Sequence, residues 1–195
     1  MIMKNFINVF ILMFLFVAVS PVYAARIVAV AESAYVTPPV APLSRTESVN
    51  IANGDFFITA PTRGGTIGDG GDETTIWAMS FRKNSKKWDR FRADPSRMIK
   101  SAVLRITLTP RSVNGFLRSD AVRIQGLTPV KIAPALGGIT PVSGVPLTID
   151  IDLLSNGNTS EDLIRVLKFE QPKGILFMQY SDDAIVSYAR LILKY

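Results

Sequence analysis

Lys100 to Pro110 reads KSAVLRITLTP, and the chain ends on a second stretch of the same kind, Val186 to Tyr195, which reads VSYARLILKY. In both stretches apolar side chains recur at every second position. These positions are Ala102, Leu104, Ile106 and Leu108 in the first stretch and Ala189, Leu191 and Leu193 in the second. A period of two is that of a β-strand with one buried face. The two stretches therefore predict strands around which a mainly β domain is organised.

Five further segments have the composition of β-strands, with alternating or continuously apolar side chains bounded by turn residues. They are residues 55–59, 74–81, 121–127, 147–153 and 174–180. The last of them is expected to form a hairpin with the closing strand through the turn at 181–183. The segments do not alternate regularly with helices, so they favour an antiparallel arrangement over a parallel sheet.

One short helix is expected near residue 160. Thr159 and Asp162 form a capping-box pattern ahead of an apolar stripe at helical spacing, and the pattern stops before Pro172. The stripe consists of Leu163, Val166 and Leu167. Such a helix would close one end of the fold or cover a sheet edge. The fold class predicted is mainly β: an antiparallel β-sandwich, jelly-roll-like, with one short helix.

Residues 1–24 have the three regions of a secretory signal peptide. Lys4 precedes a run of 14 residues, Phe6 to Val19, that is apolar except for Asn8, and small residues suitable for cleavage end at Ala24. The run is shorter than the roughly 18 residues typical of a spanning helix. We expect cleavage after Ala24, no transmembrane helix afterwards, and a secreted location that is periplasmic, cell-surface or extracellular.

The remaining chain divides into two parts. Residues 25–52 bear prolines and small apolar side chains, which predict an extended N-terminal arm along the domain edge or a linker. Residues 53–195 are expected to form a single β-sandwich domain, a size that can bury a core without covalent staples.

The composition excludes several kinds of chemistry. The chain has no histidine and no cysteine, so it has no disulfide, no Ser-His-Asp or Cys-His nucleophile, and no thiolate or imidazole metal site. Enzymes based on carboxylates, lysine, tyrosine or an oxygen-bound metal stay open. The net charge of +6 favours anionic partners without indicating nucleic acid, and secretion argues against nucleic acid.

The two organising strands also carry a family resemblance. Ile99 to Leu108, IKSAVLRITL, together with Ser187 to Leu193, SYARLIL, resembles strand motifs of DNRLRE-type jelly-roll modules. These are secreted bacterial domains related in fold to carbohydrate-binding modules. The resemblance implies a non-catalytic β-sandwich that acts at a cell-surface or extracellular polysaccharide.

A basic segment is the candidate ligand surface. Residues 82–100 hold eight of the 22 lysines and arginines of the chain, with Trp88 and Phe91 between them. An exposed indole could stack on a sugar while cations meet an anionic group. The predicted ligand-binding residues are Lys86, Lys87, Trp88, Arg90 and Arg92. The alternative is a solvated loop whose Trp88 lies in the core.

A glycine-rich loop at residues 64–73 is the candidate metal site. Asp69, Asp72 and Glu73 could supply the oxygen ligands that calcium prefers, although the spacing differs from that of an EF-hand. A hydrated acidic turn is the alternative. No other cofactor is predicted.

The sequence thus favours a secreted, non-catalytic β-sandwich that binds a surface or extracellular polysaccharide or another anionic envelope component. Two alternatives of other classes stay open. One is a structural or assembly protein of the cell envelope or matrix, which self-associates through exposed sheet edges. The other is a carboxylate-dependent glycan hydrolase, in which two acidic groups act across a sugar.

Overall fold

The structure is a computed structural model that describes residues 25–32, 56–58, 73–81, 85–110, 120–170, 175–182 and 184–195. The predicted signal peptide, the arm beyond residue 32, and Asp69 and Asp72 of the predicted calcium loop lie outside the described residues. No helix within the described part of the chain has the length and hydrophobicity needed to cross a bilayer.

Strands dominate the described residues. They are β1 (Arg26–Glu32), β2 (Phe56–Ile58), β3 (Glu73–Ser80), β4 (Ser101–Pro110), β5 (Ala121–Ile124), β6 (Val130–Lys131), β7 (Leu147–Asp152), β8 (Ile175–Asp182) and β9 (Ala184–Lys194). The helices are α1 (Ser85–Ala93), α2 (Ala133–Leu136) and α3 (Ser160–Arg165), and α3 continues into a π-helical segment, Val166–Glu170.

Two antiparallel sheets hold these strands. Their orders are β1-β9-β4-β7 and β2-β3-β8-β5-β6. The pairing is nested, because β1 pairs with β9, β3 with β8, β4 with β7 and β5 with β6. Inward-facing side chains of both sheets belong to one hydrophobic core. The predicted antiparallel β-sandwich is therefore confirmed.

The two organising stretches are neighbours in the four-stranded sheet. β4 and β9 pair along their whole length, with Leu104 opposite Leu191 and Ala102 opposite Leu193. All four of these side chains are fully buried. The register shifts between Thr107 and Leu108, which is the mark of a local bulge. The alternation in sequence thus corresponds to one inward face shared by both strands.

The N-terminal arm contributes an edge strand. β1 pairs with β9 along all seven of its residues, and Ile27 and Ala29 face the core. Of the two interpretations of residues 25–52, the extended arm along the domain edge therefore applies to residues 26–32.

The predicted hairpin between the last two strands is wrong. β8 belongs to the five-stranded sheet and β9 to the four-stranded sheet, although they are adjacent in sequence. At the start of β9, three consecutive side chains are buried before the alternation begins: Ala184, Ile185 and Val186. Ser187 is an extra residue between the pairs Thr107–Tyr188 and Leu108–Val186, so the alternation of β9 is interrupted there.

The predicted helix is present. The Thr159 hydroxyl accepts a hydrogen bond from the Asp162 amide at 3.2 Å, and the Asp162 carboxylate accepts one from the Thr159 amide at 3.1 Å. This reciprocal pair is a capping box. The predicted stripe of Leu163, Val166 and Leu167 is buried in the core.

Helices α1 and α2 were not expected. In α1 only Trp88 and Phe91 among the larger side chains are apolar, and two positions are too few to show a helical period. They nevertheless anchor the helix. The Trp88 ring stacks on Phe81 at 5.0 Å between centroids, and Phe91 lies 5.1 Å from Tyr195. Since Phe81 follows β3 and Tyr195 follows β9, α1 bridges one end of both sheets.

A polar contact fastens the π-helical segment to the residues that follow α1. The Lys168 ammonium donates to the Asp94 carbonyl at 2.7 Å and lies 4.9 Å from the centroid of the Phe91 ring. Burial is the main cause that lowers the pKa of Lys168.

The Asp94 carboxylate accepts bonds from the Ser96 hydroxyl at 2.6 Å and from Arg97 Nε at 2.8 Å. These bonds, with the Ser96 amide, lower the pKa of Asp94 to about 2.

We expect the stability contributed by Asp94 to be lost in acid. Because its pKa is lower in the folded chain than the ordinary 3.8, the contribution is complete above about pH 4 and disappears as the pH falls towards 2. Urea unfolding should show wild type more stable than Asp94→Asn at pH 5, with the difference shrinking by pH 2. Ser96→Ala, which removes the hydrogen bond from the Ser96 hydroxyl to the Asp94 carboxylate, should lose part of this pH dependence. A difference between wild type and Asp94→Asn that does not change with pH would contradict the assignment.

Candidate functional site

The predicted basic residues lie together on α1. Lys86, Lys87, Arg90 and Arg92 are all exposed. Within the described residues, none of the four takes part in an ion pair. The helix therefore presents a cluster of free cations to solvent, as the composition of the segment suggested.

Trp88 does not belong to that surface. Only 3% of the side chain is exposed, one ring face stacks on Phe81 almost in parallel, and Phe91 lies 5.8 Å away. The indole therefore has no free face for a sugar. The prediction that Trp88 contacts a ligand is corrected: Trp88 is a core residue. The alternative, a solvated loop with Trp88 in the core, is correct for Trp88, but the segment is a helix and not a loop. The α1 cluster has charge but no aromatic platform.

The predicted calcium loop is described only at its end. Glu73 is the first residue of β3, and its backbone pairs with Asp182 of β8. Among the described residues, no three acidic side chains are grouped closely enough to hold a metal ion. The calcium prediction for Asp69, Asp72 and Glu73 stays a prediction.

Two carboxylates of β7 have structural partners. Asp150 on the edge strand β7 receives two bonds from Arg105, both at 2.7 Å, and Arg105 lowers its pKa. Asp152 accepts the Leu154 amide at 3.0 Å where the strand ends. These two carboxylates hold a cross-strand pair and a turn.

A groove lies on the outer face of the five-stranded sheet. Its volume is about 400 Å³. The side chains that shape it come from β3, β5, β8 and the turn after β5, and the principal ones are Ile76, Arg123, Gln125, Leu127, Phe177 and Gln179. Backbone register places Gln179 of β8 between Ile76 of β3 and Arg123 of β5. The groove therefore combines apolar and polar side chains in one row across three strands.

The wall of the groove is a tight turn. The Leu127 amide donates to the Ile124 carbonyl at 3.0 Å, and Gly126 has a φ of +87°. A turn with positive φ at its third residue favours glycine, because other residues meet a steric penalty there.

Two side chains from the region of α3 hold this wall in place. Asn158 is 6% exposed; its amide oxygen accepts the Thr128 N–H at 2.8 Å, and its amide nitrogen donates to the Thr128 carbonyl at 2.9 Å. Arg165 donates to the Gly126 carbonyl at 3.0 Å. A wall fixed by three bonds from another element is arranged before any ligand arrives, which limits the entropy lost on binding.

The electrostatics of the groove favour an anion. Arg123 is exposed and is the charged residue among the described residues that line the groove. A guanidinium can bind a carboxylate or sulfate group through two parallel hydrogen bonds. Gln125 and Gln179 provide amides that donate to and accept from hydroxyl groups.

The groove is not evident from the sequence. The sequence pattern that relates to the groove is that Arg123, Phe177 and Gln179 occupy outward positions of predicted strands. That pattern is also common on ordinary solvent-facing sheets. Only the strand order brings these residues together, since β5 and β8 are far apart in sequence.

Comparisons of the chain with known protein families, with curated proteins and with solved structures found no match. Function is therefore inferred from the geometry of this chain.

Asn158→Ala should destabilise the protein. It leaves the Thr128 N–H and carbonyl without their partner, and such a loss costs about 1–3 kcal/mol. Thr128→Ala is the matched control, because it keeps the backbone groups that Asn158 binds, and we expect a change within about 0.5 kcal/mol. Urea unfolding measures both. Equal stability of Asn158→Ala and wild type would show that Asn158 does not hold the wall.

Proposed function

We propose that the protein is a carbohydrate-recognition domain that binds an acidic segment of a surface or extracellular polysaccharide in the groove beside Arg123. The observation that carries the proposal is the groove itself: a volume of about 400 Å³, one guanidinium, two amides and a fixed wall. Pockets for small ligands usually measure roughly 300–1,000 Å³ and combine apolar walls with a few polar groups.

The side chains of the groove match the chemical groups of a sugar acid. Ile76 and Phe177 are half-buried and offer apolar surface for the C–H face of a sugar ring. Gln125 and Gln179 suit its hydroxyl groups, and Arg123 suits its carboxylate. The described lining contains no carboxylate, which favours binding of an acidic sugar over its hydrolysis.

The fold supports the same proposal. When the three-residue strand β2 is set aside, each sheet keeps four strands, and the first strand of the sandwich pairs with the last. We take this nested order as a jelly roll, the double-sheet form with two Greek keys. The resemblance of residues 99–108 and 187–193 to DNRLRE-type modules agrees with that interpretation.

The location follows from the N-terminal pattern. Residues 1–24 resemble a signal peptide, so the domain is proposed to act outside the cytoplasm, where surface polysaccharides are found. Calcium at Asp69, Asp72 and Glu73 enters the proposal as an ion whose effect on binding is to be measured.

The test is calorimetric titration of residues 25–195 with acidic and neutral oligosaccharides, with calcium and with chelator. We expect saturable binding of the acidic sugars. Arg123→Gln should weaken it about tenfold or more, because hydrogen bonds to charged groups are worth about 1.5–3 kcal/mol. Arg26→Gln, an exposed arginine on the other sheet, is the matched control and should bind as wild type does.

Two outcomes would contradict the proposal. Unchanged sugar binding by Arg123→Gln together with weaker sugar binding by Arg90→Gln would show that the sugar binds at α1 and not in the groove. Absence of saturable binding to every acidic sugar would exclude glycan recognition and favour the assembly alternative.

A further inference from the structure

Two large apolar side chains are exposed at one end of the sandwich. Phe169 in the π-helical segment is 75% exposed, and Met98 just before β4 is 54% exposed. Their neighbours are buried: Leu167 is 1% exposed and Ile99 is 3% exposed. A phenyl ring this exposed is accessible to a partner outside the chain.

The segments that carry the two side chains are joined by hydrogen bonds. The Ile99 amide donates to the Ser160 hydroxyl at 2.9 Å, and the Lys168 ammonium donates to the Asp94 carbonyl at 2.7 Å. These two bonds join the residues on either side of Met98 to the helix that carries Phe169. The two apolar side chains are therefore presented from the same end of the fold.

The π-helical turn explains why Phe169 points outward. A π-helix bonds i to i+5 and so rotates less per residue than an α-helix does. The apolar stripe of α3 continues through Val166 and Leu167, and Lys168 is then turned towards Asp94 and Phe91. The following residue, Phe169, is carried away from the core.

Cations lie on the segments next to those that carry these apolar side chains. Helix α1 packs beside the π-helical segment, because Phe91 contacts Lys168, and its exposed side chains include Lys86, Lys87, Arg90 and Arg92. Lys100 follows Met98 by two residues and is also exposed. We define the docking end as Phe169, Met98, Lys100 and the four cations of α1.

We propose that the docking end binds the surface of an anionic lipid bilayer, with Phe169 and Met98 inserted among the headgroups and the cations facing lipid phosphates. Basic side chains combined with exposed aromatic and aliphatic ones are the pattern of interfacial membrane binding. A bilayer surface offers both phosphates for the cations and an acyl boundary for Phe169 and Met98, so charge and hydrophobicity together favour lipid. This function is separate from the groove, which uses other strands and other residues.

The test is sedimentation of residues 25–195, which contain every described strand and helix, with lipid vesicles. One set contains phosphatidylglycerol and phosphatidylcholine in equal parts, and the other contains phosphatidylcholine alone. We expect binding to the anionic vesicles that weakens as salt rises. Arg90→Gln should weaken it about fivefold, the effect of one cation near the surface. Phe169→Ser should weaken it about tenfold or more, since a buried phenyl ring is lost from the interface.

Ile139→Ser is the matched control. Ile139 is 54% exposed, as Met98 is, but it lies in the loop that bonds to Pro110 at the opposite end of β4. The control should bind vesicles as wild type does. Equal binding to neutral and anionic vesicles, or a loss in Ile139→Ser that matches the loss in Phe169→Ser, would overturn the proposal. So would binding of acidic polysaccharide that Arg90→Gln and Phe169→Ser impair while vesicle binding is absent.

Discussion

The register of β4 against β9 is the constraint on which the rest of the structure depends. Each strand has one apolar face, so a slip of one residue would move Leu104 or Leu191 from the core to solvent. β1 pairs with the free side of β9, and β7 with the free side of β4. The whole four-stranded sheet therefore takes its alignment from this one pairing. The five-stranded sheet packs its inner face on the same core.

That alignment also determines where the ends of the sandwich are closed. Tyr195 follows β9 directly and contacts Phe91, which places α1 over the strand ends. The π-helical segment is then joined to α1 through Lys168, and α3 before it supplies Arg165 to the wall of the groove. α3 with its π-helical continuation thus contributes to both the groove and the docking end, because Arg165 bonds to the wall of the groove and the π-helical segment carries Phe169. Asn158, which lies just before α3, fixes Thr128, 30 residues away in sequence.

Local patterns in the sequence predicted local features well, and features that depend on distant contacts were missed. The alternation in 100–110 and the capping box at Thr159 each need only neighbouring residues, and both are confirmed. The hairpin was wrong because nothing in residues 181–183 shows that the chain changes sheets there. Helix α1 was missed because Trp88 and Phe91 are held by Phe81 and Tyr195, the second of which is about a hundred residues away in sequence. The cations of α1 could be identified from composition, whereas the groove requires the strand order of β3, β8 and β5.

The most direct measurement of the central claim, recognition at the groove, is an NMR titration of the ¹⁵N-labelled protein with an acidic oligosaccharide. Backbone amide signals of residues 123–128 and 177–179 should shift progressively and saturate, while those of α1 stay in place. Shifts confined to residues 85–93, or none at the groove at a saturating sugar concentration, would contradict it.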